Sequence, residues 1–351
     1  MKTSCDGVNV VIRGTGKALP RLRFTTEEVW AWHQKRDPAW LREKFQIDAR
    51  HARYDYRNDR LDDIDEDDLS HEASVAALAD ARVGIEDVQF IIHASITPSH
   101  AGLPDPSCVL HRRLGARSDT GAMMLLTACA GTLNALMLAS SLIRSGQARN
   151  VLVCASSTYT SFNKRELIEK NWLHSVIFGD GAAALVVSAE EADATATPRG
   201  FSRFFMGADN HNDIGMKKFG GSKNVIGPEN VGDALTDFYN LDLRKVPENL
   251  HAKFTHVYRG MLERHALRGE DIDWVLFNMS NAPAQRGWLR AMDIPESKSF
   301  FNIEKYGNCI AASLGLVLDD FVRSGRPQPG DRALVMSIGS GLQFGGALYD
   351  F

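Results

Sequence analysis

Apolar positions along this chain fall into short uncharged runs and longer stretches of helical spacing. Residues 8–13 (VNVVIR) predict a strand that stops at Gly14 and Gly16, and residues 88–95 predict a buried strand. Residues 25–45 open on Thr-Thr-Glu-Glu, a capping sequence in which hydroxyl and carboxylate satisfy free helix N–H groups, and carry Trp30, Trp32 and Trp40 among basic residues. Residues 69–82 predict another helix. Residues 55–68, rich in Asp, Arg and Asn, have too little apolar content for a core face and predict a surface segment. Residues 188–199 read as a connection, and 207–233 as a loop of the length that is functional or mobile.

The stretch around which the rest is organised is 121–146, GAMMLLTACAGTLNALMLASSLIRSG. Met123 to Leu126 is apolar and uncharged, as expected of a strand buried on both faces. Thr127, Ala128, Ala130 and Gly131 are small enough for a tight turn that leaves Cys129 approachable. Leu133, Leu136, Met137, Ser140 and Ile143 then recur at helical spacing, and Arg144 with Gly146 ends the helix. Cys129 is thereby placed at a helix N-terminus. Free N–H groups and the positive dipole end favour a thiolate there and can hold a developing oxyanion. A lone cysteine in an apolar run is otherwise a small packing residue; the turn makes this one a candidate nucleophile.

Composition narrows the field. The chain has 351 residues, enough for two domains or one large duplicated one, and 44% hydrophobic with 24% charged residues is ordinary for a globular protein. A net charge of −4 gives no electrostatic case for nucleic acid. The five cysteines (Cys5, Cys108, Cys129, Cys154, Cys309) are scattered without a CxxC pair, so neither a disulfide framework nor a metal site is expected. No apolar leader opens the sequence and no run approaches the ~18 apolar residues of a membrane span, so a cytoplasmic protein without membrane contact is expected.

The chain also repeats itself. EDVQFII (86–92) is followed by IRSGQARNVLVCAS, and EDIDWVL (270–276) by VRSGRPQPGDRALVMSIG; the halves close on the Gly-rich segments FGDGAAALVVS and GLQFGGALYDF. Cys129 lies fifteen residues before Arg144, and Asn308 fifteen before Arg323. Two duplicated halves are expected, 1–190 carrying the cysteine and 191–351 carrying Asn308, with the two special turns facing one another. Strand-helix-strand order within each half implies a layered α/β arrangement.

LLTACAGTLNAL, HSVIFGDGAAALVVS, DIDWVLFNMSN, EKYGNCIAAS and SIGSGLQFGGALYDF resemble the ketoacyl-acyl-carrier-protein synthase III family of the thiolase superfamily. The resemblance implies a five-layered αβαβα fold, a homodimer, and an acyl group taken from coenzyme A or acyl carrier protein onto Cys129, with no cofactor. It also implies that the Gly339, Ser340 and Gly341 turn joins the Cys129 N–H in an oxyanion hole. Trp40 and Lys44 match positions that contact coenzyme A, Asn281 one that organises water, and Leu103 one that reaches across the dimer.

One position departs from the family. Asn308 matches the asparagine that binds the extender carbonyl, but Asn278, in FNMSN, stands where the resemblance implies a histidine. An amide can donate a hydrogen bond but cannot titrate near neutrality. The expectation is therefore an acyl-thioester-dependent acyltransferase, passing its acyl group to oxygen, nitrogen or an already activated carbon. The alternatives are a decarboxylative Claisen-condensing ketosynthase III and a non-catalytic partner subunit of a ketosynthase heterodimer. The intact ACAG turn weighs against the last. His211, in the long loop, and His174, before FGDG, are secondary candidates for a replacement base.

Overall fold

The computed structural model describes residues 7–100, 103–192, 199–209, 215–216, 220–236, 240–241 and 246–351. Nine strands form the main sheet: β1 (Val8–Ala18), β2 (Phe90–Ser95), β3 (Gly121–Leu126), β4 (Asn150–Ser157), β5 (Gly181–Glu191), β6 (Gly200–Ala208), β7 (Trp274–Phe277), β8 (Arg332–Gly339) and β9 (Gln343–Asp350), in the spatial order β7-β8-β9-β6-β1-β5-β4-β2-β3. β1 and β6 touch at one parallel pair, Val10 with Gly200, so the sheet has two arms. From that junction outward, each arm runs through two antiparallel pairings and then a parallel one: β5, β4, β2 on one side and β9, β8, β7 on the other. β3 lies parallel to β2; on the other arm Ser299 makes a parallel bridge to Val275 of β7.

The helices of eight or more residues are α1 (Thr26–His33), α2 (Pro38–Phe45), α3 (Glu66–Ala81), α4 (Pro106–Leu114), α5 (Gly131–Arg144), α6 (Ile168–Ile177), α7 (Val246–His265), α8 (Ala282–Ala291) and α9 (Ser313–Arg323). α3 packs Ala73, Ala77 and Ala81 on Leu152, Ala182 and Ala184. α5 and α9 lie between the arms, where Leu133, Leu136, Leu314, Val317 and Phe321 join strand residues of both. α7 and α8 cover the far face with Phe254, Val257 and Trp288 against Phe277, Leu334 and Met336. The result is the five-layered αβαβα thiolase-like arrangement. Burying each such side chain contributes about 1.5–3 kcal/mol, so the central layer, apolar from both sides, dominates stability.

Several local expectations change. β1 does not stop at Gly14 and Gly16 but continues to Ala18. The glycines are there because α3 lies against the strand: a Cβ on Gly14 would sit 2.3 Å from Ala81 N, and one on Gly16 2.4 Å from Ala77 N. The acidic segment is not all surface, for Asp55, Glu66 and Asp67 are buried, with Glu66 accepting from the hydroxyls of Thr97, Ser156 and Thr158. Residues 25–45 form two helices; the first has the expected capping box of Thr25 and Glu28.

The largest correction is β3. It is the last strand of its arm rather than a strand enclosed on both faces, and Met123 and Leu126 remain 43% and 71% exposed. An uncharged run reads as buried wherever the burying surface comes from, and this chain alone does not supply it. Among the described residues no helix is long and apolar enough to cross a membrane.

Candidate active site

Cys129 lies between the end of β3 and Gly131, the first residue of α5. The opposite arm closes on this turn at backbone distance. A Cβ on Gly339, the last residue of β8, would lie 2.8 Å from Ala130 N and 3.2 Å from Cys129 N, and one on Gly131 3.1 Å from the Ala311 side chain. The Thr132 hydroxyl donates to the Ala311 carbonyl over 2.7 Å. Small residues at these positions therefore serve contact between the arms as well as the turn.

A cavity of about 1140 Å³ opens beside Cys129 and is lined by Asn278, Asn281, Asn308, Gly339 and Ser340, with Trp40 and Lys44 also on its wall. Asn278 follows β7. Its Oδ1 accepts the Ile338 N–H at 3.0 Å and faces the Ser337 hydroxyl at 3.1 Å; that hydroxyl is also 2.8 Å from the Cys129 carbonyl. Asn308 follows Gly307, and its N–H donates to the Ile177 carbonyl at 2.8 Å. Its Oδ1 accepts the Ile310 N–H at 2.8 Å and the Ser313 hydroxyl at 2.9 Å, while the side chain hydrogen-bonds the Cys129 thiol. In both amides the oxygen is held by fixed donors, so the group left to face the cavity is the NH2. Two separate segments of the chain, one after β7 and one after Gly307, thus aim two amide donors at the region of one sulfur.

The electrostatics are equally plain. No Asp, Glu or His is among the described residues lining the cavity, and its cations, Arg36 and Lys44, are exposed at the rim. Burial pushes the Cys129 thiol up to about 11, against smaller opposing hydrogen bonds from its own backbone N–H and from Asn308. That direction runs against the expected thiolate. Ile96, Leu126, Ala128 and Phe178 supply the apolar wall that disfavours the charged form.

The other expected positions divide. Trp40 is 37% exposed, with the Arg36 guanidinium 5.4 Å from its ring centroid. The Asn281 Oδ1 caps α8 by accepting the Ala284 N–H at 2.8 Å, which explains the asparagine structurally. Gly341 does not line the cavity; its φ of +136° is a conformation that side-chain-bearing residues rarely adopt. Leu103 is 88% exposed and off the cavity wall of its own chain. His174 is buried and does not line the cavity; desolvation depresses its imidazole to about 4, and its Nδ1 lies 3.4 Å from the hydroxyl of Tyr159, which does. His211 lies outside the described residues. Ser337, Ser313 and Tyr159 escaped the reading of the sequence, since a serine in a strand or a tyrosine after one is commonplace until the fold places it.

Residues 125–209 match the family 3-Oxoacyl-[acyl-carrier-protein (ACP)] synthase III, and residues 262–351 match 3-Oxoacyl-[acyl-carrier-protein (ACP)] synthase III C terminal. Among solved structures, the chain is similar to 3-oxoacyl-[acyl-carrier-protein] synthase III from Aquifex aeolicus, at 24% identity and a TM-score of 0.82 over 98% of this chain and 100% of that one. It is also similar to the corresponding synthase III of Pseudomonas aeruginosa, at 23% identity and TM-score 0.82 over 98% of each chain. OleA of Xanthomonas campestris aligns at 20% identity and TM-score 0.81, again over 98% of each. These identities carry the fold, and the two matched segments, one bearing Cys129 and the other Asn278 and Asn308, carry the kinship. By those two segments and by its five layers, the chain is similar to the 3-oxoacyl-[acyl-carrier-protein] synthase III family.

Proposed function

We propose that the protein is an acyl-thioester-dependent transferase in which Cys129 takes an acyl group from coenzyme A or acyl carrier protein and passes it to an oxygen, nitrogen or already acidic carbon nucleophile. The observation that carries this reading is a nucleophilic sulfur beside two oriented amide donors, in a cavity whose described wall offers no carboxylate or imidazole. In loading, the sulfur attacks the thioester carbonyl and its proton leaves with the departing thiol. The Cys129 N–H and the turn that begins at Gly339 are the donors we assign to the oxyanion. Trp40, Arg36 and Lys44 stand at the rim, where an aromatic face and two cations suit a nucleotide and its phosphates.

In the second half-reaction the Asn278 and Asn308 NH2 groups hold the acceptor carbonyl but cannot take a proton from it. General acid–base help is worth about 100–10,000-fold, so acceptors that depend on it lose most. Decarboxylative condensation is the second reading, favoured by one feature: loss of carbon dioxide needs donors for the enolate oxygen, and both amides present them. Intact-protein mass spectrometry with acyl donors, on the unmodified chain and on Cys129→Ala, tests the common first step. A donor-specific mass gain confined to the unmodified chain is expected. Offering the loaded enzyme a malonyl thioester beside hydroxyl and amine acceptors then separates the readings, and efficient carbon–carbon product would sink the first.

The assembly we infer is a homodimer joined along β3, because that edge strand presents Met123 and Leu126 and Leu103 protrudes nearby in sequence. The matching order of the two arms also supports our reading of the chain as duplicated halves, 1–190 and 191–351.

A further inference from the structure

The dimensions and wall of the cavity bear on which acyl group is carried, a question that rests on Cys129 being the acylated residue. Small-molecule sites run from about 300 to 1,000 Å³, and this one is about 1140 Å³. A thioester arm ending in acetyl would leave part of that volume unfilled. Beside the amides and Ser280 and Ser340, much of the described wall is aliphatic and aromatic: Leu173, Ile177 and Phe178 from α6 and the residue after it, Leu250 and Phe254 from α7, and Trp288 from α8. Phe254 and Trp288 pack ring against ring on that side, with centroids 4.2 Å apart and planes tilted by 33°. The only lysine and arginine among the described lining residues, Lys44 and Arg36, are at the exposed rim. Among the described lining residues away from the rim, an acyl group ending in a carboxylate would find no charged partner.

We propose that Cys129 carries an uncharged apolar acyl group of about eight carbons or more, and that acetyl, malonyl and succinyl thioesters are poor donors. The cavity has room for such a chain beside the thioester arm, and the lower bound of about eight carbons is set by where accumulated methylene burial becomes readily measurable. Burial of a methylene is worth up to about fourfold in binding, so even partial use of that contact over six added methylenes should separate octanoyl from acetyl by at least about tenfold.

The test is a rate comparison on the full chain, following the acyl-enzyme by intact mass with acetyl-, octanoyl-, dodecanoyl- and succinyl-CoA. Octanoyl or dodecanoyl should load at least tenfold faster than acetyl at sub-saturating donor, and succinyl should load slowest. Acetyl or succinyl loading as fast as octanoyl would overturn the inference and leave the transferase reading standing. Failure of every donor, with coenzyme A and carrier-protein thioesters alike, would remove the acyl-enzyme itself and this inference with it. Leu173→Trp and Leu250→Trp provide a control internal to each preparation. The dodecanoyl-to-acetyl rate ratio, which is insensitive to any inactive fraction, should fall about tenfold in at least one, and an unchanged ratio in both would also refute the proposal.

Discussion

Replacing Asn278 by Asp separates what this side chain does for the fold from what it does for chemistry. Its Oδ1 faces two donors, the Ile338 N–H at 3.0 Å and the Ser337 hydroxyl at 3.1 Å, and a carboxylate oxygen satisfies both as well as an amide oxygen does. Stability should therefore change little beyond the effect of burying a charge. Asn278→Ala, by contrast, strands the buried Ile338 N–H at about 1–3 kcal/mol, while the Ser337 hydroxyl keeps the Cys129 carbonyl as its acceptor. The group that Asn278→Asp does remove is the NH2 facing the cavity, which becomes an acceptor. Loss of one oriented oxyanion donor lowers a rate by about 100–1000-fold, or about 2.7–4 kcal/mol. Loading of Cys129 should persist, because the oxyanion donors assigned to it lie elsewhere; transfer to the acceptor should fall by that factor. Desolvation raises the pKa of the introduced carboxyl, and its protonated form can donate, so transfer should recover as pH falls. The assay is single-turnover: form the acyl-enzyme, add acceptor, and follow loss of the acyl mass against pH. Transfer within threefold of the unmodified chain at neutral pH would refute the donor role of Asn278.

Gly339→Ala should abolish acyl-enzyme formation, since its Cβ would stand 2.8 Å from Ala130 N against backbone that cannot yield, and normal loading by a folded variant would contradict the proposed turn. With its thiol pushed up to about 11, Cys129 should react with iodoacetamide about tenfold faster per pH unit from 7 to 10, because the thiolate fraction rises at that rate below the pKa. A plateau near pH 8, read from the mass of the alkylated protein, would show that the sulfur is activated after all. Met123→Arg should convert the proposed dimer to monomers in sedimentation velocity, because it puts a charge on the exposed edge strand of each copy; a dimer that survives would place the interface elsewhere.

Much of the architecture was legible because it rests on local rules. The Thr25–Glu28 capping box, the apolar runs of β2 and β4 and the helical spacing from Leu133 to Ile143 are readable one segment at a time, and the repeated blocks anticipated arms of matching order. The same local reading misjudged Gly14 and Gly16, whose absent side chains answer to α3 more than sixty residues away, and β3, whose apolar run finds only partial cover among the described residues.

At the site, residue types alone determined that Cys129 could be a nucleophile, that Asn308 could donate, and that Asn278 could not act as a base. Only the tertiary structure decided which atoms those residues present. The Ile338 N–H from one strand and the Ile310 N–H from another segment hold the two amide oxygens, turning both NH2 groups toward the cavity, and burial among apolar wall from several elements pushes the Cys129 thiol up. Amide orientation and thiol acidity are set by groups within a few ångströms in space, and here those groups come from every part of the chain.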